Sequence, residues 1–265
     1  DVSGPLDVFA EVNTIVGEDA GYRVETIASD LKSFRASNGM LLSASLSYEQ
    51  AFGPFDLFLV AGGPKLPTYS APPEMIECIR NLAATSKMYG SICTGAFLLG
   101  AAGLLDRRKV TTHWQNAKQL AAQYPTAIVD FDRIFLMDGQ MVTSAGVTAG
   151  IDLALALVRD HQGTSISLAV AKRLVVVAQR LGGQSQFSPY IDISSDVDSP
   201  ISRVASYVME NLSKPLTVAE LAEVSLMSAR NFARVFVADT GRTPAQFVES
   251  ARIDAARAML EGSSK

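Results

Sequence analysis

"MYGSICTGAF", residues 88–97, joins a short apolar run to a glycine-punctuated helix start. This order predicts a strand, a sharp turn and a helix, with Cys93 at the turn. Small residues at positions 90, 91 and 95 permit a tight bend, as in a nucleophile elbow. The thiol would then project at the helix N-terminus, where the helix dipole and free amide hydrogens favour a thiolate. We therefore predict a lowered pKa for Cys93.

Outward from this turn, strand-like apolar runs alternate with helical stretches up to about residue 182. The strand candidates are YRVETIAS (22–29), FDLFLVAGG (55–63), MYGSIC (88–93), KVTTH (109–113) and IFLMDGQMVTSAG (134–146). Helical spacing of apolar residues follows in GVTAGIDLALALVRD (146–160) and SISLAVAKRLVVVAQR (165–180). Such alternation predicts an α/β domain with a parallel or mixed sheet covered by helices on both faces.

A change of composition then marks a linker. Residues 182–200, GGQSQFSPYIDISSDVDSP, are rich in Gly, Ser, Asp and Pro and have no sustained periodicity. The residues that follow form short helical patterns separated by short turns, which is typical of a compact helical bundle. The sequence thus predicts a first domain at 1–182, a linker at 183–199 and an all-α second domain at 200–265.

The amino-acid composition is typical of an ordered globular protein without a membrane segment. Hydrophobic residues make up 48% and charged residues 19% of the 265 residues, a balance that predicts an ordered globular chain. We expect no membrane segment, because no apolar run approaches the roughly 20 residues that a membrane helix needs and no basic-then-apolar leader opens the chain. Cys78 and Cys93 are the two cysteines of the sequence, which fits a reducing, cytoplasmic setting and gives no metal-ligand or disulfide framework. We expect no metal and no cofactor.

The balance of charged side chains differs between residues 1–199 and residues 200–265. The net charge of −4 argues against a protein that coats nucleic acid along its whole surface. However, residues 1–199 carry 15 basic and 20 acidic side chains, whereas residues 200–265 carry eight basic and seven acidic ones. The second domain is therefore the part with a charge balance suited to nucleic acid.

Two consecutive helices in that domain have the pattern of a helix-turn-helix. Thr217 and Glu220 form a capping box that starts the first helix, and after the turn SLM, Ser228 can cap the second. Apolar residues of the second helix recur at helical spacing and should point inward, namely Phe232, Val235 and Phe236. The outer face then holds Arg230, Asn231 and Arg234, side chains that meet guanine and adenine in a major groove. The alternative is an ordinary bundle whose arginines are merely solvated, and spacing alone leaves both open.

Residues 216–260 resemble the first half of an AraC-family DNA-binding domain. The resemblance lies in the Ser-x-Arg-x-Phe-x-Arg-x-Phe pattern at 228–236, in Gly241, Pro244 and Phe247, and in Arg252, Ala256 and Arg257. It implies that promoter DNA is a partner and that the residues facing DNA are Ser228, Ala229, Arg230, Asn231 and Arg234. The family has two helix-turn-helix units, and the sequence given runs to Lys265, before the second. We expect this stretch to bind DNA more weakly than two units would, since each phosphate contact adds affinity through counterion release.

The turn at Cys93 fits either a functional site or simple burial of a free cysteine. Gly62 and Gly63 follow a strand and could offer backbone N–H groups to an oxyanion or an anionic ligand. His113 could lie at a strand end near the site, although a packing or capping role is an equal alternative. Free cysteines are often simply buried, and we expect this of Cys78. The elbow around Cys93 favours a functional site there.

Residues 1 to about 180 resemble the PfpI-like branch of the class I glutamine amidotransferase-like superfamily. The motifs are DVSGPLDVF (1–9), AGG (61–63), SICTGAFLLGAAGLLDRRKVTTHW (91–114) and TSAGVTAGIDLALALV (143–158). The resemblance implies a flavodoxin-like α/β sandwich with a mostly parallel sheet. It extends to the hydratases that resemble isocyanide hydratase, where a Cys-Thr-Gly elbow works with an aspartate in an Asp-x-x-Gly-Pro turn, matching Cys93, Thr94 and Asp1. It extends equally to AraC-type regulators of the GlxA kind, in which this domain precedes two helix-turn-helix units.

The regulator interpretation explains both domains, so we expect a DNA-binding transcriptional regulator. Its first domain would sense an unknown small-molecule effector and form a homodimer. We expect no catalytic residue, with Cys93, Asp1 and Thr94 kept as a vestigial elbow. The residues expected to bind the ligand are Asp1, Gly62, Gly63, Cys93, Thr94 and His113. The alternative is a cysteine-dependent hydratase or hydrolase resembling isocyanide hydratase.

Overall fold

The structure is a computed structural model that describes residues 1–176 and 199–263. The chain divides into two compact units, Asp1–Gln184 and Ser185–Lys265. The predicted linker at 183–199 lies outside the described residues except for Ser199, so its extent stays a prediction. No helix in the described part of the chain is long and apolar enough to cross a membrane.

The first unit alternates strands and helices as the sequence predicts. Its helices in the described residues are α1 (Ser3–Val16), α2 (Pro73–Thr85), α3 (Ala96–Ala101), α4 (Trp114–Gln123), α5 (Thr148–Gln162) and α6 (Thr164–Arg173). Its strands are β1 (Ile27–Ala28), β2 (Phe34–Arg35), β3 (Leu41–Leu42), β4 (Leu46–Ser47), β5 (Leu57–Val60), β6 (Met88–Ile92), β7 (Lys109–Val110), β8 (Ile128–Val129), β9 (Phe135–Asp138) and β10 (Met141–Ser144). Three-residue 3₁₀ turns lie at Glu18–Ala20, Leu66–Thr68 and Cys93–Gly95.

A four-stranded sheet in the order β5–β6–β10–β9 forms the centre of this unit. Strand β6 is parallel to both β5 and β10, whereas β9 runs antiparallel to β10. Two further parallel pairs, β1–β4 and β7–β8, and the antiparallel hairpin β2–β3 complete the described strands. The carboxyl ends of β5, β6 and β10 therefore lie at one edge of the sheet, where the loops that carry binding residues meet in such folds.

Side chains alternate between the two faces of the sheet, and each face has its own apolar core. Tyr89 and Met141 face a cluster with helices α2, α3 and α4. Val142, one residue further along β10, faces the opposite side with Leu153 and Leu157 of α5. Helices α1, α5 and α6 form a further cluster around Val8, Leu155 and Val170. Helices thus cover both faces, which confirms the predicted α/β sandwich with a mostly parallel sheet.

Several strand predictions were too long. The run at 22–29 is paired at β1 alone, and the run at 109–113 is paired at β7 alone. The run at 134–146 is two strands, because Gly139 takes a positive φ of 62° and turns the chain into the β9–β10 hairpin. An Asp-Gly pair between apolar runs is a hairpin signal. Helix α6 ends at Arg173 instead of continuing as the pattern at 165–180 predicts, and 177–180 lie outside the described residues.

The second unit is helical in its described residues. Its helices are α7 (Pro200–Glu210), α8 (Val218–Val224), α9 (Ala229–Thr240) and α10 (Pro244–Ser263). The hydroxyl of Thr217 accepts a hydrogen bond from the amide of Glu220, and that of Ser228 accepts one from the amide of Asn231. Both predicted N-caps are confirmed. They satisfy amide groups at the starts of α8 and α9 that the helices cannot pair themselves.

Three aromatic rings in edge-to-face contact form the centre of the second unit's core. Phe236 lies edge-on to Phe232 and to Phe247, with ring centroids 5.3 Å apart in both pairs. All three side chains are fully buried. Their cluster also takes in Val204 of α7 and Leu221 of α8. Such edge-to-face pairs add to the free energy gained from burying the rings, so one core fixes α7, α8, α9 and α10 relative to one another.

Truncation of the central ring should destabilise the second unit strongly. We expect Phe236→Ala to lower the free energy of unfolding by about 3 to 5 kcal/mol, because it removes buried contacts and leaves a cavity. Helical circular dichroism followed through chemical denaturation measures this change. The control Val237→Ala removes an exposed side chain on the same helix and should change stability little. Equal effects of the two substitutions would contradict the assignment of the core.

Candidate functional site

The cysteine turn has the geometry of an elbow. Cys93 directly follows β6 and takes a φ of 57°, a left-handed conformation that is uncommon for a residue other than glycine. The chain then passes through a 3₁₀ turn into α3. The hydroxyl of Thr112 donates a 2.7 Å hydrogen bond to the Cys93 carbonyl oxygen and so fixes the turn from outside. The predicted strand, turn and helix are confirmed.

Thr94 connects the elbow to the loop after β5. Its hydroxyl donates to the carbonyl oxygen of Gly63 at 2.7 Å and accepts from the amide of Gly63 at 2.9 Å. Thr94 is buried and Gly63 is partly buried, so solvent has limited access to these bonds. The amide of Gly63 is therefore occupied. This corrects the expectation that both Gly62 and Gly63 could offer free N–H groups to a ligand.

Two glycines leave room for the cysteine side chain. A Cβ atom on Gly62 would lie 2.4 Å from Oδ2 of Asp1 and 2.7 Å from Cβ of Cys93. A Cβ atom on Gly146 would lie 2.7 Å from Sγ of Cys93, and Gly146 has a φ of 113°. Contacts below 3.0 Å do not occur between real Cβ atoms and their neighbours. Gly62 thus lies beside Asp1 and Cys93, and Gly146 lies against the thiol.

Asp1 is held at this site by the start of α5. Its carboxylate Oδ1 accepts a 2.7 Å hydrogen bond from the amide of Val147. Val147 has a φ of 46° and a ψ of −106°, which is strained for a β-branched residue. Such strain persists where contacts with the surroundings support the conformation, and the hydrogen bond to Asp1 is one such contact.

Sequence reasoning missed Gly146, Val147 and Thr112 as parts of the site. The glycine in TSAGVTAG, between β10 and α5, was a signal for the first two. A signal for Thr112 was its place at the end of a short strand beside His113. The structure brings Asp1, Gly62, Cys93 and Thr94 together as predicted, with Gly63 bonded to Thr94.

The pKa of Cys93 is raised, not lowered. Burial disfavours the thiolate and raises the pKa, and hydrogen bonding with Thr94 opposes this by less. The prediction of a lowered pKa is therefore wrong. Its basis was the helix dipole and the free amide hydrogens at the start of α3, whereas desolvation of the thiol is the largest cause of the shift.

His113 lies next to the site along the chain, since Thr112 bonds the Cys93 carbonyl oxygen. Its imidazole is half-buried, and burial lowers its pKa. The ring lies 5.6 Å from that of Trp114, centroid to centroid. Within the described residues, the His113 ring makes no hydrogen bond that would pair it with Cys93. The packing alternative for His113 therefore stays open.

The described ranges 1–176 and 199–263 contain His, Cys, Asp and Glu side chains, which are the usual metal ligands of proteins. No group of three or more His, Cys, Asp and Glu side chains there could hold a metal ion. Cys78, the other thiol, is half-buried in α2, and burial raises its pKa as well.

A second candidate site lies on α9. The five side chains expected to face DNA are exposed, namely Ser228, Ala229, Arg230, Asn231 and Arg234. The four residues 225–228 join α8 to α9, and Leu226 among them has a φ of 58°. Arg252, which the resemblance placed on the following helix, donates to the carbonyl oxygens of Leu212 at 2.9 Å and Lys214 at 2.5 Å. Arg252 thus fixes the loop between α7 and α8.

The raised pKa of Cys93 predicts slow thiol chemistry at neutral pH. In a Cys78→Ser variant, the rate of alkylation by iodoacetamide should rise with pH along a curve whose midpoint lies above that of the same variant in denaturant. Burial favours the neutral thiol in the folded state, so the thiolate forms at higher pH than in the unfolded chain. A folded-state midpoint below the unfolded one would contradict the burial argument.

The chain is similar to several known proteins. A family model described as the DJ-1/PfpI family matches residues 1–160. The HTH-type transcriptional regulator CdhR of Pseudomonas aeruginosa is 30% identical over 239 residues, 90% of this chain and 70% of the regulator. An isonitrile hydratase of Pseudomonas putida is 33% identical over 176 residues, 66% of this chain and 72% of the hydratase.

A solved structure agrees with these relatives. The crystal structure of an AraC family transcriptional regulator from Pseudomonas putida matches with a TM-score of 0.57 and 25% identity, over 65% of this chain and 90% of that one. The predicted resemblance to transcriptional regulators that carry a PfpI-like domain is therefore confirmed. The chain belongs to the DJ-1/PfpI family, and along most of its length it is similar to HTH-type transcriptional regulators.

Proposed function

We propose that this chain is a sequence-specific transcriptional regulator that binds promoter DNA through α9 and senses a small molecule at the Cys93 site. The observation that carries the proposal is the similarity to a transcriptional regulator over 90% of the chain, which takes in both units. A cysteine-dependent enzyme would account for the first unit alone.

The surface of α9 supports DNA binding. Arg230, Asn231 and Arg234 lie on one exposed face of the helix, while Phe232 and Phe236 are buried on the other. Arg230 makes no hydrogen bond or ion pair within the described residues. Two cations four residues apart repel each other on a helix, and a phosphate backbone would neutralise both. A helix with this division of faces fits the major groove as the second helix of a helix-turn-helix.

The Cys93 site supports binding of a ligand over turnover. The thiol has a raised pKa, the amide of Gly63 is bonded to Thr94, and His113 is not hydrogen-bonded to the thiol. A nucleophile needs a thiolate and a reacting oxyanion needs free donors. We infer that the ligand lies at the carboxyl ends of β5 and β6, beside Asp1, Gly62 and Cys93. We also propose a homodimer, since a pair of DNA-binding units matches repeated half-sites.

The DNA-binding proposal makes a direct prediction. An Arg230→Ala, Arg234→Ala double variant should bind the DNA upstream of its own coding region at least about tenfold more weakly, because each arginine in a groove contributes roughly 1 to 3 kcal/mol. Electrophoretic mobility shift of the labelled duplex measures this loss.

A matched control separates specific contacts from net charge. A Lys32→Ala, Lys118→Ala variant removes two exposed positive charges from the first unit and should bind almost as the unchanged chain does. Equal binding by all three proteins would remove α9 from the DNA interface.

A cysteine-dependent hydratase is the second candidate function. It is favoured by the 33% identity to an isonitrile hydratase and by the left-handed elbow at Cys93. We expect no turnover of isocyanides or α-dicarbonyl compounds above the rate of a Cys93→Ala variant, because burial favours the neutral Cys93 thiol over the nucleophilic thiolate. Product formation followed by chromatography measures this, and clear Cys93-dependent turnover would favour the enzyme instead.

A further inference from the structure

Two side chains on the exposed face of α9 are bonded to each other. Nη2 of Arg234 donates a 2.9 Å hydrogen bond to Oδ1 of Asn231, one turn earlier on the helix. Resting on the proposed function, we propose that Asn231 and Arg234 form one composite reading unit. In this unit Asn231 is a positioning residue that orients Arg234 toward a guanine, and it does not read an adenine itself.

Asn231 is well placed to hold the arginine. Its own amide donates to the hydroxyl of Ser228, the N-cap of α9, so the backbone of Asn231 is fixed at the start of the helix. Arg230 lies four residues before Arg234 and is a like charge, which disfavours a guanidinium directed toward it. The amide oxygen of Asn231 offers the guanidinium an acceptor on the other side.

The bond changes what Asn231 can read. Recognition of adenine by asparagine takes both ends of the amide, since Oδ1 accepts from N6 and Nδ2 donates to N7. In this structure Oδ1 already accepts from Arg234. The expectation from sequence that Asn231 meets adenine would therefore require this bond to break.

Arg234 keeps enough N–H donors to recognise a guanine. A guanidinium has five N–H donors in a fixed plane, and a guanine takes two of them at O6 and N7. One donor is used on Asn231, and the others stay available. A side chain ordered before binding loses less conformational entropy when the complex forms. Arg230 has no such partner in the described residues, so the two arginines differ in how far they are ordered in advance.

The test is selection of duplexes from a randomised library by the full 265-residue chain and its variants. The unchanged chain should select guanine at one position, and Arg234→Lys should lose that preference because lysine cannot bond both acceptors. Asn231→Ala should weaken the same preference roughly two- to tenfold, the expected cost of ordering one long side chain on binding. The double variant should be no less selective than Arg234→Lys alone.

Asn231→Asp serves as the rescue, because a carboxylate oxygen still accepts from Arg234. It should keep the guanine preference even if overall affinity falls. Loss of an adenine preference at another position in Asn231→Ala, or losses that multiply in the double variant, would overturn the composite unit. If the unchanged chain selects no sequence while binding no DNA, the proposed function itself fails. If it selects a sequence that Arg234→Lys leaves intact, the inference fails alone.

Discussion

The double hydrogen bond between Thr94 and Gly63 is the constraint on which the cysteine site depends. It joins the turn after β6 to the loop after β5 in a partly buried position. With Thr112 on the Cys93 carbonyl, it holds Cys93 in a left-handed conformation at the carboxyl edge of the sheet. The same bond occupies an amide that an oxyanion would need. The same interaction therefore fixes the elbow and occupies a hydrogen-bond donor that could stabilise an oxyanion. This supports our proposal that the site binds a ligand.

The second unit depends on a different kind of interaction. The edge-to-face rings of Phe232, Phe236 and Phe247 fill its core, and one face of α9 stays exposed to solvent. Because Phe232 and Phe236 of α9 face that core, Arg230 and Arg234 lie on the opposite, exposed face of the helix. The polar face then follows from packing, and Ser228 fixes where the helix begins.

Local sequence patterns were enough to predict several features. The elbow around Cys93, the N-caps Thr217 and Ser228, and the outward face of α9 all follow from residues within a few positions of one another. Contacts between distant residues were not predictable in this way. The hydrogen bond from Val147 to Asp1 joins positions 146 residues apart, and the local sequence around either residue does not predict it. The pKa of Cys93 was predicted in the wrong direction because its burial is set by packing around the whole edge of the sheet.

We propose that occupancy of the Cys93 site and DNA binding are linked. The most direct test of this link is the affinity of a Cys78→Ser variant for its upstream duplex before and after iodoacetamide fills the site at Cys93, measured by fluorescence anisotropy. We expect Kd to change at least about fivefold, the lower range of typical allosteric coupling. Identical Kd values for the alkylated and free protein, with alkylation complete and the fold intact, would contradict it.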